Sequence, residues 1–143
     1  MKASQQCVIY IRVSDESQVE NNSLETQEKY CRELAEKRGW NVLELFREEG
    51  RSAKSIAKRI ELKRLLKFVK ENKGKVDKVI VYKFTRLSRN TENALYLEAL
   101  LAKMKIDVVS ATEPMSEGPI GKFNKTILYA AGQLENDMKA EMV

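Results

Sequence analysis

Short, continuous apolar runs alternate along this chain with stretches whose apolar residues recur every three or four positions. Four runs rich in β-branched or aromatic residues predict strands, at 7–11, 42–46, 79–82 and 106–109. Helical spacing predicts helices between them, at 24–38, 62–69 and 94–103. Because no hairpin turn separates the strands, the pattern predicts an α/β fold with a mainly parallel sheet of four to five strands and helices on both faces.

The ends of these elements carry their own signals. Asn22 or Ser23 can cap the first helix, and Gly39 can end it after two basic residues. Residues 47–58 show neither a helical nor a strand period, which predicts a long loop between the second strand and the second helix. Long loops in compact domains often carry function, so this stretch is a candidate part of a site.

A long helix is predicted after the Gly118-Pro119 break. Six apolar residues lie at helical spacing there: Ile120, Phe123, Ile127, Ala131, Leu134 and Met138. A helix of more than 20 residues, at about 1.5 Å per residue, outruns a domain about 30 Å across, so part of this stripe is expected to stay exposed for a second copy. We therefore expect residues 1–118 to form the α/β domain and residues 119–143 to begin a dimerisation helix that is cut short.

Composition narrows the class of protein. The chain has 143 residues, a net charge of +5 and no histidine, which excludes Ser-His-Asp and Cys-His catalysis and histidine-based metal sites. Cys7 and Cys31 lie in apolar surroundings without metal-ligand spacing, so we interpret them as reduced core residues. No apolar run is long enough to span a membrane and no secretory signal opens the chain, which favours a cytoplasmic protein.

The charge is unevenly distributed. Residues 47–75 hold 11 basic and 4 acidic side chains, whereas residues 15–28 hold five acidic side chains and no basic one. A basic segment of this kind is typical of a surface that meets a polyanion, most often nucleic acid. A solvated, lysine-rich helix face is the alternative interpretation.

Chemistry is expected where the parallel strands end. Arg12 and Ser14 follow the first strand and share one face by the two-residue period of a strand. An arginine in a buried strand needs an internal ion pair or a bound anion, and the neighbouring hydroxyl favours a phosphate site. Arg86 and Arg89 follow the third strand, three residues apart on a predicted turn at the same edge.

Two further polar residues are candidates for this site. Arg59 lies where the second helix begins, so its charge and the helix N-terminus could serve one anion. Gln27 interrupts the apolar stripe of the first helix, where a polar group needs a backbone partner or a bound phosphate.

Three segments together resemble a known family: Tyr10-Ile11-Arg12-Val13-Ser14, Ser23-Leu24-Glu25-Thr26-Gln27 and residues 82–90, Tyr-Lys-Phe-Thr-Arg-Leu-Ser-Arg-Asn. Their order, spacing and placement at strand ends are similar to the N-terminal catalytic domain of the serine recombinases, the resolvase and invertase superfamily. Large serine integrases and transposon recombinases are the members it resembles most. The resemblance covers essentially the whole chain.

The resemblance implies that Ser14 is the nucleophile that attacks a DNA phosphodiester and forms a 5′-phosphoserine link. It implies that Arg12, Arg59, Arg86, Arg89 and Gln27 form the active site, with no cofactor and no metal. Double-stranded DNA is the implied partner, with Lys83, Lys63 and Lys67 as candidate DNA contacts. The long helix resembles the one through which these proteins dimerise and then form the tetramer of strand exchange. A DNA-recognition domain is not contained in these residues, and no membrane partner is expected.

Two positions depart from the family pattern. Thr85 stands where the family usually has Asp, next to the arginine that Arg86 matches, and Glu135-Asn136 stands where Glu-Arg is common. The first departure supports a second hypothesis, a catalytically impaired DNA-associated oligomerisation module of the same fold. A receiver-like or flavodoxin-like domain is a third, weaker interpretation, because neither the acidic cluster nor a Gly-rich phosphate loop is present.

Overall fold

A single parallel sheet organises the chain. The computed structural model describes residues 5–13, 23–49, 59–88, 90–113 and 118–141. Within them the sheet has four strands in the order β2-β1-β3-β4, all parallel. The strands are β1 (Gln6–Arg12), β2 (Asn41–Glu48), β3 (Lys78–Val81) and β4 (Asp107–Ser110). The predicted α/β class with a parallel sheet of four to five strands is confirmed.

Helices connect the strands and one long helix follows the last of them. They are α1 (Leu24–Arg38), α2 (Ile60–Glu71), α3 (Phe84–Leu87), α4 (Thr91–Lys103) and α5 (Gly118–Glu141). The side chain of Ser23 accepts a hydrogen bond from the amide of Thr26 at 3.2 Å and so caps α1; the alternative cap, Asn22, lies outside the described residues. Gly39 ends α1 with φ of 73°, a left-handed conformation that glycine adopts without steric cost.

Alternate residues of β1 bury against opposite faces of the sheet. Val8 and Tyr10 belong to the core formed with α2, α4 and Tyr129 of α5, whereas Cys7 and Ile9 belong to the core formed with α1. Burial on both faces explains why the strand is a continuous apolar run. It also confirms the prediction that helices cover both faces.

Both cysteines are buried free thiols, as predicted. Burial raises the pKa of Cys7 to about 11 and the pKa of Cys31 to about 12. The protonated thiol therefore dominates at neutral pH, and neither side chain has the thiolate character of a reactive cysteine.

Two local predictions were wrong. The second strand does not end at Phe46, because Arg47 and Glu48 continue it in register with Ile11 and Arg12 of β1. The residues after β3 form the short helix α3 rather than a simple turn. In both places contacts with distant segments determine the conformation, and a local period could not indicate them. Residues 50–58 of the predicted loop lie outside the described residues.

One face of α5 is fixed to the domain by polar contacts. The ammonium of Lys125 donates to the carboxylates of Glu98 and Asp107, at 3.3 and 3.1 Å, and to the carbonyl of Val108 at 2.9 Å. The hydroxyl of Tyr129 donates to the other carboxylate oxygen of Glu98 at 2.8 Å. Burial raises the pKa of Glu98, and the charge of Lys125 opposes that rise. These contacts set which side of α5 turns toward the sheet.

The opposite face of α5 is apolar and exposed. Its large side chains are about half exposed or more: Ile120 (70%), Phe123 (66%), Ile127 (49%), Leu134 (60%) and Met138 (55%). The expectation that part of the stripe stays exposed is confirmed. No described helix combines the length and apolarity that crossing a membrane would need.

Candidate active site

The polar candidates meet at the carboxyl edge of the sheet. Arg12 and Glu48 are the last residues of β1 and β2 and are register partners. Beyond the end of β3, α3 crosses the same edge, and α2 begins beside it after Arg59. Ligands of open parallel sheets bind at this edge, so the fold places these residues where a site is expected.

Arg12 is buried, with 1% of its surface exposed, and its guanidinium binds two main-chain carbonyls. Nε donates to the carbonyl of Arg86 at 2.9 Å and Nη2 to that of Thr85 at 3.0 Å. From the sequence we predicted that this side chain would meet an internal ion pair or a bound anion. The carbonyls of α3 are a third kind of partner, and they tie β1 to α3.

Gln27 binds the main chain of Arg12. Its Nε2 donates to the carbonyl of Arg12 at 2.9 Å, and its Oε1 accepts from the amide of Arg12 at 3.2 Å. The pairing of β1 with β3 ends at Tyr10 and Val81, two residues before Arg12. Gln27 thus takes the place of a neighbouring strand. Of the two partners predicted for its side chain, a backbone group and a bound phosphate, the backbone group is present.

Arg59 is held by a tyrosine and, through it, by a carboxylate. Its Nε and Nη2 donate to the hydroxyl of Tyr10 at 3.1 and 2.6 Å, and the guanidinium lies 5.2 Å from the centre of the Tyr10 ring. The Tyr10 hydroxyl in turn donates to Glu48 at 3.1 Å. Burial is the largest cause that raises the pKa of Tyr10, and the charge of Arg59 opposes it. Nη1 of Arg59 is buried and has no hydrogen-bond partner among the described residues.

Glu48 also caps α2. Its two carboxylate oxygens accept from the amides of Glu61 and Leu62 at 3.2 and 3.1 Å, whereas the side chain of Arg59, the N-cap residue, makes no capping bond. A carboxylate at a helix N-terminus satisfies unpaired amides and favours the helix dipole. The cap frees Arg59 to point its guanidinium toward Tyr10.

Sequence reasoning missed Tyr10 and Glu48. The available signal was the two-residue period of each strand, which puts Tyr10 beside Arg12 and Glu48 beside Phe46 on the face that packs against α2. A hydroxyl and a carboxylate at such positions need polar partners, and an arginine at the head of α2 is a suitable one.

Arg86 is buried within α3, and its carbonyl accepts from two arginines. Nε of Arg12 lies 2.9 Å from that oxygen and Nη2 of Arg59 lies 3.5 Å from it. The structure therefore brings together four of the six predicted site residues: Arg12, Gln27, Arg59 and Arg86. The other two, Ser14 and Arg89, lie outside the described residues.

The predicted DNA contacts lie around this edge and along α2. Lys83 precedes α3 and its ammonium is 5.9 Å from the centre of the Tyr82 ring. Lys63 and Lys67 are exposed on α2, where Lys67 approaches Glu71 at 4.0 Å. In the described part of the chain no cluster of cysteine and carboxylate side chains could hold a metal ion.

The Tyr10 hydroxyl is expected to contribute strongly to stability. Tyr10→Phe should lower the free energy of unfolding by about 2 kcal/mol, because a buried guanidinium and a buried carboxylate both lose a hydrogen-bond partner. Denaturant unfolding measures this. Tyr30→Phe is the matched control, since Tyr30 is 44% exposed and its ring contact with Tyr82 would remain. Equal stability losses in the two variants would contradict the network.

The parallel α/β domain followed by a long helix has the fold of the catalytic domains of TP901-1 integrase and of an IS607-like serine recombinase. The chain belongs to the family described as the resolvase N-terminal domain, whose family model matches residues 7–143. No curated protein sequence is similar enough to this chain to count as a match.

Solved structures support this membership. The N-terminal catalytic domain of TP901-1 integrase is 30% identical, with 94% of this chain and 98% of that one covered and a TM-score of 0.73. The C-terminal catalytic domain of ISC1926 TnpA, an IS607-like serine recombinase, is 30% identical over 74% of this chain and 70% of that one, with a TM-score of 0.63. A resolvase-family site-specific recombinase from Streptococcus pneumoniae, 24% identical over 97% and 93% of the two chains with a TM-score of 0.71, shows the same fold.

Proposed function

We propose that this chain is the catalytic domain of a site-specific DNA recombinase in which Ser14 attacks a DNA phosphodiester. The observation that carries the proposal is the meeting of the Arg12 and Arg59 guanidiniums at the Arg86 carbonyl, at the sheet edge where β1 leads toward Ser14. Guanidiniums suit phosphoryl transfer, because their fixed charge and N–H donors bind the non-bridging oxygens of a phosphate.

The reaction exchanges one phosphoester bond for another. A bond forms between Ser14 Oγ and the phosphorus while the bond from phosphorus to the 3′ oxygen breaks. The serine loses a proton and the 3′ oxygen gains one, which leaves a 5′-phosphoserine and a free 3′ hydroxyl. The reverse attack by a 3′ hydroxyl rejoins the strand after exchange, and no external energy source is needed because the number of phosphoester bonds is conserved.

The arginines supply the electrostatic part of this mechanism. Negative charge spreads over the equatorial oxygens of the phosphoryl group in the transition state, and preorganised cations stabilise it there. Arg59 has a buried Nη1 without a hydrogen-bond partner among the described residues, so it retains a donor for a phosphate oxygen. Arg89 and Arg86 are proposed to complete the set, and Gln27 fixes the main chain from which Arg12 extends.

Double-stranded DNA is the proposed substrate, and three lysines are proposed to contact its backbone. Lys83 carries charge at the site edge, and the exposed Lys63 and Lys67 carry charge along α2, where they would bind phosphates without reading sequence. The exposed stripe of α5 is proposed to pair two copies, and two such dimers would form the tetramer in which strands are exchanged.

A covalent conjugate tests the catalytic proposal. The protein as its gene encodes it is incubated with a supercoiled plasmid that carries the DNA flanking that gene, in EDTA and in magnesium. We expect a protein–DNA conjugate of equal yield in both, because guanidiniums take the role of metal ions. Protease digestion and mass spectrometry should place the nucleotide on the Ser14 peptide.

The same experiment separates the second candidate function. Thr85 in place of the family's usual Asp favours an impaired module that binds DNA and oligomerises without cleavage. Retarded migration of the plasmid in a gel without a covalent conjugate would support that module and contradict the catalytic proposal. A conjugate that forms only with magnesium would contradict the arginine mechanism.

A further inference from the structure

Gly132 of α5 lies against Thr85 of α3. A Cβ built on Gly132 would overlap the γ-methyl of Thr85 and would lie 3.7 Å from its Cβ. Gly132 is not among the described glycines with positive φ, so its backbone conformation does not require glycine. Inside a helix, glycine is less favourable than alanine by about 1 kcal/mol. The close approach of the Thr85 methyl is the physical reason for a glycine at this position.

Thr85 contacts two parts of the molecule with different atoms. Its side chain meets α5, while its carbonyl accepts the hydrogen bond from Nη2 of Arg12 at 3.0 Å. The next carbonyl, that of Arg86, accepts from Arg12 and lies within reach of Arg59. Because α3 has only four residues, a shift at the Thr85 side chain moves both carbonyls.

Phe84, which precedes Thr85 in α3, is held by two further contacts, one of them also with α5. The amide of Phe84 donates to the carboxylate of Glu113 at 2.7 Å, and the Phe84 ring meets the Tyr129 ring edge-on at 5.5 Å between centres. These contacts prevent α3 from simply moving away from α5 when the space at Gly132 is filled. An added methyl group would instead tilt α3 and displace its carbonyls from Arg12.

We propose that Gly132 and Thr85 form a size-matched pair that positions the Arg12 guanidinium from α5. Gly132 is thereby a positioning residue of the arginine site, although it belongs to a different helix from any residue that would touch the phosphate. The proposal deepens the proposed recombinase function and rests on it for its catalytic meaning.

Three variants test the pair: Gly132→Ala, Thr85→Ser, and the two combined. Gly132→Ala should lower Tm by about 5 °C, because overpacking outweighs the gain in helix propensity. The exchange of the Arg12 Nε–H proton with solvent, followed by NMR, should become about tenfold faster as its bond to the Arg86 carbonyl opens. Thr85→Ser removes the γ-methyl and keeps the main-chain carbonyl, so the double variant should regain the Tm and the slow exchange of the original protein.

Thr85→Val combined with Gly132→Ala is the matched control, because valine keeps the offending methyl group and should not restore either quantity. A higher Tm for Gly132→Ala would overturn the proposal, since helix propensity would then be the only effect of the glycine. A lower Tm with unchanged Arg12 Nε–H exchange would also overturn it, because the pair would then contribute to packing without positioning the Arg12 guanidinium. Neither readout depends on DNA cleavage, so failure of the proposed function would appear separately, as absence of the conjugate.

Discussion

Ser14→Ala is expected to abolish the protein–DNA conjugate while the free energy of unfolding changes by less than about 0.5 kcal/mol. Alanine has no oxygen to form the bond with phosphorus, so the covalent path is lost completely rather than slowed. The strand that leads to this position is held by main-chain hydrogen bonds of other residues. β1 pairs with β2 up to Arg12 and Glu48, and the amide of Val13 continues that pairing by donating to the carbonyl of Glu48 at 3.1 Å.

Ser23→Ala is the matched control with the opposite expectation. The Ser23 hydroxyl caps α1 by accepting from the amide of Thr26, so its loss should lower the free energy of unfolding by about 1 kcal/mol. Conjugate formation should persist, because α1 still presents Gln27 to the main chain of Arg12. Denaturant unfolding and gel analysis of the conjugate measure both quantities for both variants. A conjugate formed by Ser14→Ala would contradict the assignment of the nucleophile.

The sequence predicted most of the fold because most of its elements have a local signature. Apolar runs identified the buried strands, and Ser23 and Gly39 marked the ends of α1. The helix α3 had no such signature. It is four residues long and is held by Glu113, Tyr129 and Arg12, which come from three other segments of the chain.

The sequence indicated which polar side chains gather at this sheet edge, but it did not indicate the hydrogen bonds that they make there. A buried arginine and a buried glutamine were recognisable as polar side chains in apolar positions. Their partners are carbonyl and amide groups of the main chain, which every residue carries, so composition cannot single them out. The contact of Gly132 with Thr85 was likewise beyond sequence reasoning, because it depends on how two helices approach each other.

The second large expected effect is the loss of dimerisation when the exposed apolar stripe of α5 is made polar. Leu134→Glu combined with Met138→Glu should convert a dimer to a monomer of 16.5 kDa. Each apolar side chain that leaves water contributes about 1.5–3 kcal/mol, and a two-fold interface contains every residue twice, so the dimer dissociation constant should rise by at least about a thousandfold. Sedimentation across a range of protein concentrations measures the change in mass.

The fold should survive this double substitution, because the opposite face of α5 holds the helix to the domain. Lys125, Tyr129 and Gln133 bind Glu98, Asp107 and the amide of Thr91 from that face, and neither substituted side chain takes part. Lys122→Gln with Thr126→Glu is the matched control, since it makes the same change in net charge at exposed positions off the stripe. The control should remain dimeric. If instead the stripe variant kept its mass and lost Tm, the stripe would pack against its own domain and the dimer assignment would be wrong.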